Sequence, residues 1–475
     1  MKVLLTGSTG YIGRRLEDKL LEDSSITLRL FVRNRRKIME QVRTKAEIAE
    51  GDTFDLESLK NALQGIDIAY YLVHSMHART DFQQLERISA ENFLSACIQS
   101  GVKRVIYLSG LGKKEKASKH LKSRLLTGEI LSSQPDKIQT IWLRAGIIIG
   151  SGSGSFEILY HLVQRLPVMV TPKWVRKKAQ PVAVSDVIQY LVKAKEIKLK
   201  ENLIVDIGKE IMTLEQMLLQ TGDVLGLKRF IIPLPAWIPE ISAYWLLLFT
   251  PTPYAFAREF IEALKSDALS QNDNARQYFS EILLLTFKEA VKQALEEIED
   301  SSVISRWCDS SAGEVCDIKG QDNISTAILT DKKVYHFKSI PQEKVFSSIM
   351  TIGGERGWFK YNILWEIRGL IDKLVGGYGI SRGRRDEREL RIGDCLDFWK
   401  VLDIKQNHRL LLLAQMKVPG KAWLEFILEP GVMIQTAYFQ PKGIWGRLYW
   451  YLVLPFHFFV FRDLAESIIK RAKTL

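Results

Sequence analysis

Short apolar runs and helical spacings alternate along the first 150 residues of the chain. Runs of β-branched and apolar residues predict strands at residues 3–6, 27–32, 66–73, 104–109 and 140–149. Between the first two runs, Ile12, Leu16 and Leu20 recur at the spacing of one helix face. Helices that alternate with strands in this way cover a parallel sheet. The pattern therefore predicts an α/β domain built on a Rossmann-like, doubly wound parallel sheet.

The rhythm continues beyond the fifth predicted strand. The Gly-Ser repeat at 150–155 predicts a loop at the carboxyl edge of the sheet. Ser185 or Asp186 is placed to cap another helix, and residues 203–207 predict another strand. These segments extend the first domain, with a small substrate lobe, over residues 1–300.

A second domain is predicted after a polar connection. Residues 301–330 are rich in Ser, Asp and Gly, which predicts a linker. Residues 331–475 contain alternating segments, such as 422–426, and end in a helical pattern at 462–473. Because alternation with a period of two is typical of strands with one buried face, we expect an α+β domain on an antiparallel sheet.

Two apolar stretches, 237–249 and 444–461, raise the question of a membrane. Spanning a bilayer takes about 20 consecutive apolar residues, and both stretches are interrupted, the first by Pro239 and Glu240 and the second by Arg447. We expect buried helices or cavity walls. Peripheral contact with a membrane surface stays open.

The charge and the cysteines of the chain limit the classes of partner that we expect. The net charge of +12 favours anionic partners such as a nucleotide cofactor. No segment interleaves basic residues with stacking aromatics in a known pattern, so we expect no nucleic-acid partner. Cys97, Cys308, Cys316 and Cys395 form no C-x-x-C pair, which predicts neither a metal site nor a disulfide framework. The strand-like start of the chain and its cysteines lead us to expect a cytoplasmic protein.

A glycine motif carries the clearest chemistry. It directly follows a predicted strand and opens a predicted helix. Gly7 permits a tight turn, Gly10 lets the backbone approach a pyrophosphate, and Gly13 allows close helix-to-sheet packing. An ordinary β-to-α turn would not need three glycines at this spacing. The predicted phosphate-binding residues are Gly7, Thr9, Gly10, Tyr11, Ile12 and Gly13.

The end of the second predicted strand bears on the choice of cofactor. Sites that prefer NAD usually place a carboxylate there, on the ribose 2′-hydroxyl. This chain has Arg33 and Arg36 instead, and guanidinium groups bind a 2′-phosphate, so we predict NADP, with NAD as the alternative. A solvated charge run is the other interpretation. Asp52 is placed to contact the adenine and His74 the nicotinamide ribose. For each of them, a local hydrogen-bonding role is the alternative interpretation.

Four segments carry a resemblance to a known superfamily: residues 6–13, 51–52, 107–110 and 180–187. They resemble the atypical short-chain dehydrogenase/reductase superfamily, especially its NmrA-like branch, over roughly the first 300 residues. The C-terminal part looks like a domain of unknown role that is similar to START-like helix-grip proteins. That second resemblance implies a sheet wrapped around a long helix, with an enclosed apolar cavity.

The first resemblance also implies catalytic residues. In the superfamily, a serine after the fifth strand polarises the substrate oxygen, and Ser109 matches it. The usual Tyr-x-x-x-Lys pair is missing, and His120 and Arg124 stand in its place. A histidine can also transfer a proton near neutral pH, whereas an arginine cannot lose one. The alternative interpretation is that His120 packs or forms a hydrogen bond at a helix start.

Three functions fit these observations. The first is an NADP-dependent oxidoreductase that acts on a small or apolar carbonyl compound. The second is a non-catalytic NADP-sensing or regulatory protein, which the missing tyrosine would permit. The third is a carrier of apolar ligands that uses the aromatic-rich C-terminal domain.

Overall fold

The chain separates into two compact units. Unit 1 comprises Met1–Thr250 and Ala255–Val315, and unit 2 comprises Pro251–Tyr254 and Cys316–Leu475. The computed structural model describes residues 1–73, 82–234, 250, 254–264, 266–300, 302–307, 327–337, 340–354, 357–358, 362–374, 379, 383–387 and 389–475. The apolar stretch at 237–249 and most of the predicted linker at 301–330 therefore lie outside the described residues.

Unit 1 is built on a parallel sheet of seven strands. Its members are β1 (Lys2–Thr6), β2 (Thr27–Val32), β3 (Glu47–Glu50), β4 (Ile68–Tyr71), β5 (Arg104–Gly110), β6 (Gln139–Ala145) and β11 (Leu203–Ile207). Their order across the sheet is β11-β6-β5-β4-β1-β2-β3, and each neighbouring pair is parallel. Because the strand order reverses between β1 and β4, the loops after these two strands open a crevice of the kind in which ligands bind. The predicted fold class is confirmed.

Short strands and helices complete unit 1. The strands are β7 (Ile148–Ile149), β8 (Val168–Pro172), β9 (Lys178–Ala179), β10 (Val182–Ala183), β12 (Met212–Thr213) and β13 (Phe230–Leu234). The helices are α1 (Tyr11–Leu21), α2 (Glu40–Arg43), α3 (Leu56–Leu63), α4 (Phe82–Gln99), α5 (Lys119–Leu131), α6 (Gly154–Arg165), α7 (Val184–Ala194), α8 (Leu214–Val224), α9 (Tyr254–Ala263), α10 (Asn274–Tyr278) and α11 (Phe287–Glu299). Apolar clusters cover both faces of the large sheet.

Three local predictions for unit 1 need correction. The strand predicted at 140–149 breaks at Gly146, where a Cβ would lie 1.6 Å from the carbonyl oxygen of Gln180. The loop predicted at 150–155 ends early, because the Ser153 hydroxyl accepts a hydrogen bond from the Phe156 amide and caps α6. Helix α7 begins at Val184 without a side-chain cap. Asp186 is buried instead and accepts a hydrogen bond from the amide of Leu285.

Unit 2 contains an antiparallel sheet of six strands. They are β14 (Leu329–His336), β15 (Cys395–Leu396), β16 (Trp399–Lys405), β17 (Arg409–Ala414), β18 (Gly420–Glu429) and β19 (Val432–Pro441). The order is β14-β19-β18-β17-β16-β15. Its helices are α12 (Gln342–Ile349), α13 (Asn362–Leu374) and α14 (Gly443–Ala472). This arrangement confirms the predicted C-terminal antiparallel domain, whereas its likeness to helix-grip proteins stays an interpretation.

The C-terminal helix differs from its prediction. It does not begin near residue 462 but runs from Gly443 to Ala472, with Pro455 inside it. The proline is tolerated because inward side chains such as Trp450 and Leu464 pack against the sheet. The stretch at 444–461 is also not a buried helix, since Ile444 is 83% exposed. Among the described helices, none combines the length and the apolar character that crossing a membrane requires.

Unit 2 has a buried histidine that predicts a pH dependence of its stability. Burial lowers the pKa of His457 from 6.5 to about 4, although the Asp331 carboxylate lies 3.5 Å from its Nδ1. Protonation therefore favours the unfolded state. The stabilising effect is complete above pH 6.5 and is lost as the pH falls towards 4, at a cost of up to about 3 kcal/mol. Urea unfolding at a series of pH values, monitored by hydrogen exchange in peptides from α14, measures this loss of stability.

The substitution His457→Gln should flatten this pH dependence. His408→Gln is the control, because His408 is an exposed histidine of the same unit. An unchanged slope between pH 6.5 and 4 in the His457→Gln protein would show that other groups cause the acid sensitivity.

Candidate functional site

The glycine loop lies between β1 and α1, beside the end of β4. Gly7 has a φ of +74°, and a Cβ on it would lie 2.5 Å from the Leu72 carbonyl oxygen. A Cβ on Gly13 would lie 2.0 Å from the Gly7 carbonyl oxygen. A Cβ on Gly10 would meet only that same oxygen, at 3.2 Å. Gly7 and Gly13 are thus required by packing, whereas Gly10 keeps the loop surface bare.

The start of α1 is suited to a phosphate group. Its N-cap, Gly10, offers no side-chain hydrogen bond to the first amides of the helix. Such amides are orphan donors at the positive end of the helix dipole, which is where proteins bind anions. The Ser8 hydroxyl is buried in the same loop and has no hydrogen-bond partner among the described residues. The loop therefore fits the diphosphate of a dinucleotide.

Three other predicted loop residues have different surroundings. The Tyr11 hydroxyl donates to the Ser151 carbonyl oxygen at 3.1 Å, and burial raises the pKa of Tyr11 well above its ordinary value. Ile12 packs partly buried against the apolar core, and Thr9 is half-buried. Tyr11 contributes to the packing of α1. A role for these three side chains in cofactor binding stays a prediction.

The basic run follows β2. Arg33 and Arg36 are exposed, and the amide of Arg36 donates to the Asn34 side chain at 2.9 Å, which caps a short turn. Asp52 follows β3, and its carboxylate accepts a hydrogen bond from the Phe54 amide at 3.1 Å. This bond closes a local turn, which is the alternative role that the sequence analysis gave for Asp52. His74 lies outside the described residues.

Ser109 occupies the end of β5. The residue is 1% exposed, and its hydroxyl accepts a hydrogen bond from the indole Nε1 of Trp142 at 2.7 Å. The neighbouring phenol of Tyr107 donates to the Arg124 carbonyl oxygen, and burial raises the pKa of Tyr107 well above its ordinary value. Tyr107 is therefore a structural group. The bond from Trp142 uses a lone pair of the Ser109 oxygen and leaves its O–H free to donate, so burial is what separates this hydroxyl from a substrate oxygen.

His120 and Arg124 lie one turn apart on α5, beside the carboxyl end of β5. The guanidinium of Arg124 donates to the Leu108 carbonyl oxygen at 3.2 Å. Nε2 of His120 lies 2.7 Å from the Glu259 carboxylate. The imidazole also stacks on the Phe82 ring, with 4.3 Å between ring centroids. A carboxylate and an aromatic ring thus fix the orientation of the imidazole, while Arg124 ties the helix to the strand.

Glu259 is absent from the sequence-based list of site residues. It lies 139 residues beyond His120 in the chain, on α9, and no local motif marks it. The pair is partly buried, with side-chain exposures of 21% for His120 and 27% for Glu259. A carboxylate at this distance can accept a hydrogen bond from Nε2–H and hold the plane of the imidazole. The arrangement therefore fixes an imidazole beside the end of β5.

A second pair missing from that list lies at the same edge of the sheet. Arg144 on β6 is paired with Asp206 on β11 at 2.6 Å. The Asp206 carboxylate also accepts a hydrogen bond from the Gln271 amide, and the Gln271 side chain donates to the Gly112 carbonyl oxygen. These bonds hold the segment around Gln271 against the strand ends. They shape the edge of the site and do not bring another proton donor to it.

Comparisons with known proteins agree with this geometry. Residues 7–135 match the protein family described as NAD(P)H-binding. Unit 1 therefore has a Rossmann-like fold, and its first part is similar to NAD(P)H-binding proteins. Residues 324–464 match a protein family of unknown function, DUF2867.

The similar proteins differ in activity. The chain is 28% identical to the sterol demethylase protein B of Methylococcus capsulatus over 116 residues, 24% of this chain and 35% of that protein. It is 25% identical to the UDP-glucose 4-epimerase of Rickettsia typhi over 187 residues, 34% of this chain and 53% of that protein. The chain thus spans about half or less of these curated relatives.

Solved structures show the same fold. The triphenylmethane reductase of Citrobacter sp. superposes with a TM-score of 0.52 and 20% identity, over 62% of this chain and 100% of the reductase. Its complex with NADP(H) gives a TM-score of 0.50 at 20% identity, over 62% of this chain and 99% of that one. At this identity the likeness concerns the fold alone.

Proposed function

We propose that unit 1 is an NADP-dependent oxidoreductase that reduces a small or apolar carbonyl compound. The observation that carries this proposal is the His120–Glu259 pair at 2.7 Å, beside the carboxyl end of β5. In a Rossmann-like sheet this edge is where a cofactor and its substrate bind. A proton donor held at that edge is what reduction of a carbonyl needs.

The cofactor would be held by the loop and strand ends already described. The bare surface at Gly10 and the first amides of α1 would receive the diphosphate. Arg33 and Arg36, exposed after β2, would pair with a 2′-phosphate. A bound NADPH supplies the hydride. The NADP(H) complex of the Citrobacter reductase, which shares the fold, is compatible with this choice.

His120 would complete the reduction. The oxygen of a reduced carbonyl needs a proton to become an alcohol, and the imidazolium of His120 would donate it from Nδ1, because Nε2 faces Glu259. Glu259 stabilises that imidazolium and keeps its ring in place. The neutral imidazole then takes a proton from water. Arg124 ties α5 to β5.

A sensing function without turnover has one observation in its favour. The Ser109 hydroxyl, which should polarise the substrate oxygen, belongs to a residue that is only 1% exposed. The two functions differ in a simple assay: the full chain is mixed with NADPH and a panel of aldehydes, ketones and quinones, and absorbance of the reduced cofactor is followed. Oxidation that depends on one carbonyl compound supports the enzyme. Saturable NADPH binding with no oxidation supports the sensor.

Unit 2 offers one observation in favour of a ligand carrier. The side chain of Gln435 is 2% exposed, and neither its amide nitrogen nor its oxygen has a hydrogen-bond partner among the described residues. It lies on the same face of β19 as the buried Met433 and Ala437. An unpaired buried amide is costly, and an apolar ligand with one polar group would satisfy it. Mass spectrometry of extracts from the purified chain tests for such a ligand.

The preference for NADP predicts the effect of a charge reversal. Arg33→Asp should weaken NADP binding relative to NAD binding by about 1–3 kcal/mol, because it removes a charge-assisted contact to the 2′-phosphate and adds repulsion. Fluorescence titration with both reduced cofactors measures the difference. Arg43→Asp is the control, since Arg43 is an exposed arginine on α2. Equal losses for both cofactors in the Arg33→Asp protein would rule out the preference.

A further inference from the structure

The outward side of α14 in unit 2 is apolar. Ile444, Trp445, Leu448, Leu452, Phe456 and Phe459 are between 47 and 83% exposed. They follow one another at intervals of one to four residues and lie on one side of the helix. The opposite side, with Trp450 and Leu464, packs on the sheet. We call these six residues the α14 outer face. A soluble surface seldom leaves so many large apolar side chains together.

A second helix of unit 2 has a similar outer side. Ile363, Ile367 and Leu374 on α13 are each at least 50% exposed, while Trp365 points into the core. Both helices contact the loop between β17 and β18. From α13, the Asp372 carboxylate accepts a hydrogen bond from the Lys417 amide at 2.6 Å.

The start of α14 contacts the same loop. The Lys442 amide donates to the Pro419 carbonyl oxygen at 2.9 Å. A Cβ on Gly446 would lie 2.4 Å from that same oxygen. The α14 outer face therefore begins beside the loop that α13 also contacts.

The charges at the start of the α14 outer face have one sign. Between Glu429 and Asp463 the sequence contains no acidic residue, but it contains Lys442 and Arg447. Arg462, near the other end of the face, is paired with Glu466 at 2.7 Å. Lys442 and Arg447 are exposed at the start of the helix. Apolar side chains bordered by cations complement an anionic lipid surface, where each basic residue near the headgroups adds to binding. A protein partner would not require acids to be absent over this stretch.

We propose that the α14 outer face binds unit 2 to the surface of an anionic membrane, with α14 lying in the plane of the interface. Aromatic rings such as Trp445 suit the headgroup level, and the aliphatic side chains reach the acyl boundary. The helix does not cross the bilayer, because its other side is committed to the sheet. This proposal concerns where the protein is located, and it does not depend on the function proposed for unit 1.

Vesicle sedimentation of the full chain tests this proposal. We expect binding to phosphatidylcholine vesicles that contain about one-third phosphatidylglycerol, and weaker binding to pure phosphatidylcholine or at high salt. The double variant Leu448→Glu/Phe456→Glu should lower the partition coefficient by roughly tenfold or more. Leu283→Glu is the matched control, since Leu283 is an 85% exposed leucine of unit 1. Brominated lipid should quench fluorescence in the wild type more than in Trp445→Phe.

Three results would overturn the proposal. The first is failure of the wild-type chain to bind anionic vesicles at low salt. The second is equal binding by the wild type and the double variant, with circular dichroism showing both folded. The third is a wild-type dimer that the double variant dissociates and that ignores vesicles, which would assign the α14 outer face to a second copy of the chain. NADPH binding by the variants verifies that unit 1 is intact.

Discussion

Gly13→Ala is expected to damage both the fold of unit 1 and its cofactor binding. The new Cβ would lie 2.0 Å from the Gly7 carbonyl oxygen and 2.8 Å from the Ser8 Cα, and both neighbours belong to the backbone. Neither atom can swing aside, so α1 must move away from the loop. Overpacking of this kind costs about 1–3 kcal/mol or more, which as binding energy is roughly a tenfold to hundredfold loss. Thermal unfolding without cofactor and titration with NADPH measure the two losses.

Gly10→Ala separates the two effects. Its Cβ would meet only the Gly7 carbonyl oxygen at 3.2 Å, which a small shift relieves, so the unliganded protein should keep nearly its full stability. NADPH binding should still weaken, because the methyl group would stand where the backbone has to approach the diphosphate. Unchanged NADPH affinity in Gly10→Ala would place the diphosphate elsewhere. Unchanged stability in Gly13→Ala would show that the loop and α1 are not tightly packed.

The glycine loop shows why this part of the molecule could be predicted. Phosphate binding by a backbone loop depends on glycine spacing and on the strand and helix that flank it, and all of these are local in sequence. The switch point between β1 and β4 was also within reach, because a βα alternation leads to a doubly wound sheet. The break in the strand at Gly146 could not be predicted, because its cause is the carbonyl oxygen of Gln180, which is distant in the sequence.

The contacts that orient the proton donor are not local. His120 and Glu259 meet because α9 packs near the start of α5. The periodicity of a sequence does not indicate which distant helices lie next to each other. For Ser109, only part of the surroundings could be predicted. Its position at the end of β5 was predictable, but the hydrogen bond from Trp142 was not, because it depends on neighbouring strands placing both side chains on one face.

The C-terminal helix illustrates a third limit. The sequence at 444–461, which is apolar on all sides and contains Pro455, does not predict a single amphipathic helix. Helix α14 nevertheless runs through Pro455, because packing against the sheet outweighs the local cost of the proline. Whether its apolar side chains are buried or exposed depends on which of them face the sheet, and only the fold determines this.

Removal of the His120 imidazole is expected to have the largest effect on turnover. His120→Phe keeps an aromatic ring to stack on Phe82 but cannot donate a proton. We expect kcat to fall by about two to four orders of magnitude, the usual contribution of a positioned acid, while NADPH affinity stays nearly unchanged. Stopped-flow oxidation of NADPH by the carbonyl compound found in the panel measures kcat, and titration measures affinity.

Glu259→Gln should act through His120 and so lower kcat less. Replacing the carboxylate with an amide leaves a hydrogen-bonding group at 2.7 Å but removes the charge that stabilises the imidazolium. A hydrogen bond to a charged group is worth about 1 kcal/mol more than one between neutral groups, so we expect a loss of roughly fivefold to tenfold in kcat. Glu259→Asp should recover part of that loss, whereas Glu281→Gln, an exposed acid of unit 1, should have no effect.

The double variant His120→Phe/Glu259→Gln decides whether the two residues act as one unit. If Glu259 works only by holding and charging the imidazole, its substitution should cost nothing further once His120 is gone, so the two losses should not add. Additive losses would mean that Glu259 contacts the substrate or the cofactor itself. Full turnover in His120→Phe would remove His120 from the chemistry, and the proton would then have to come from water.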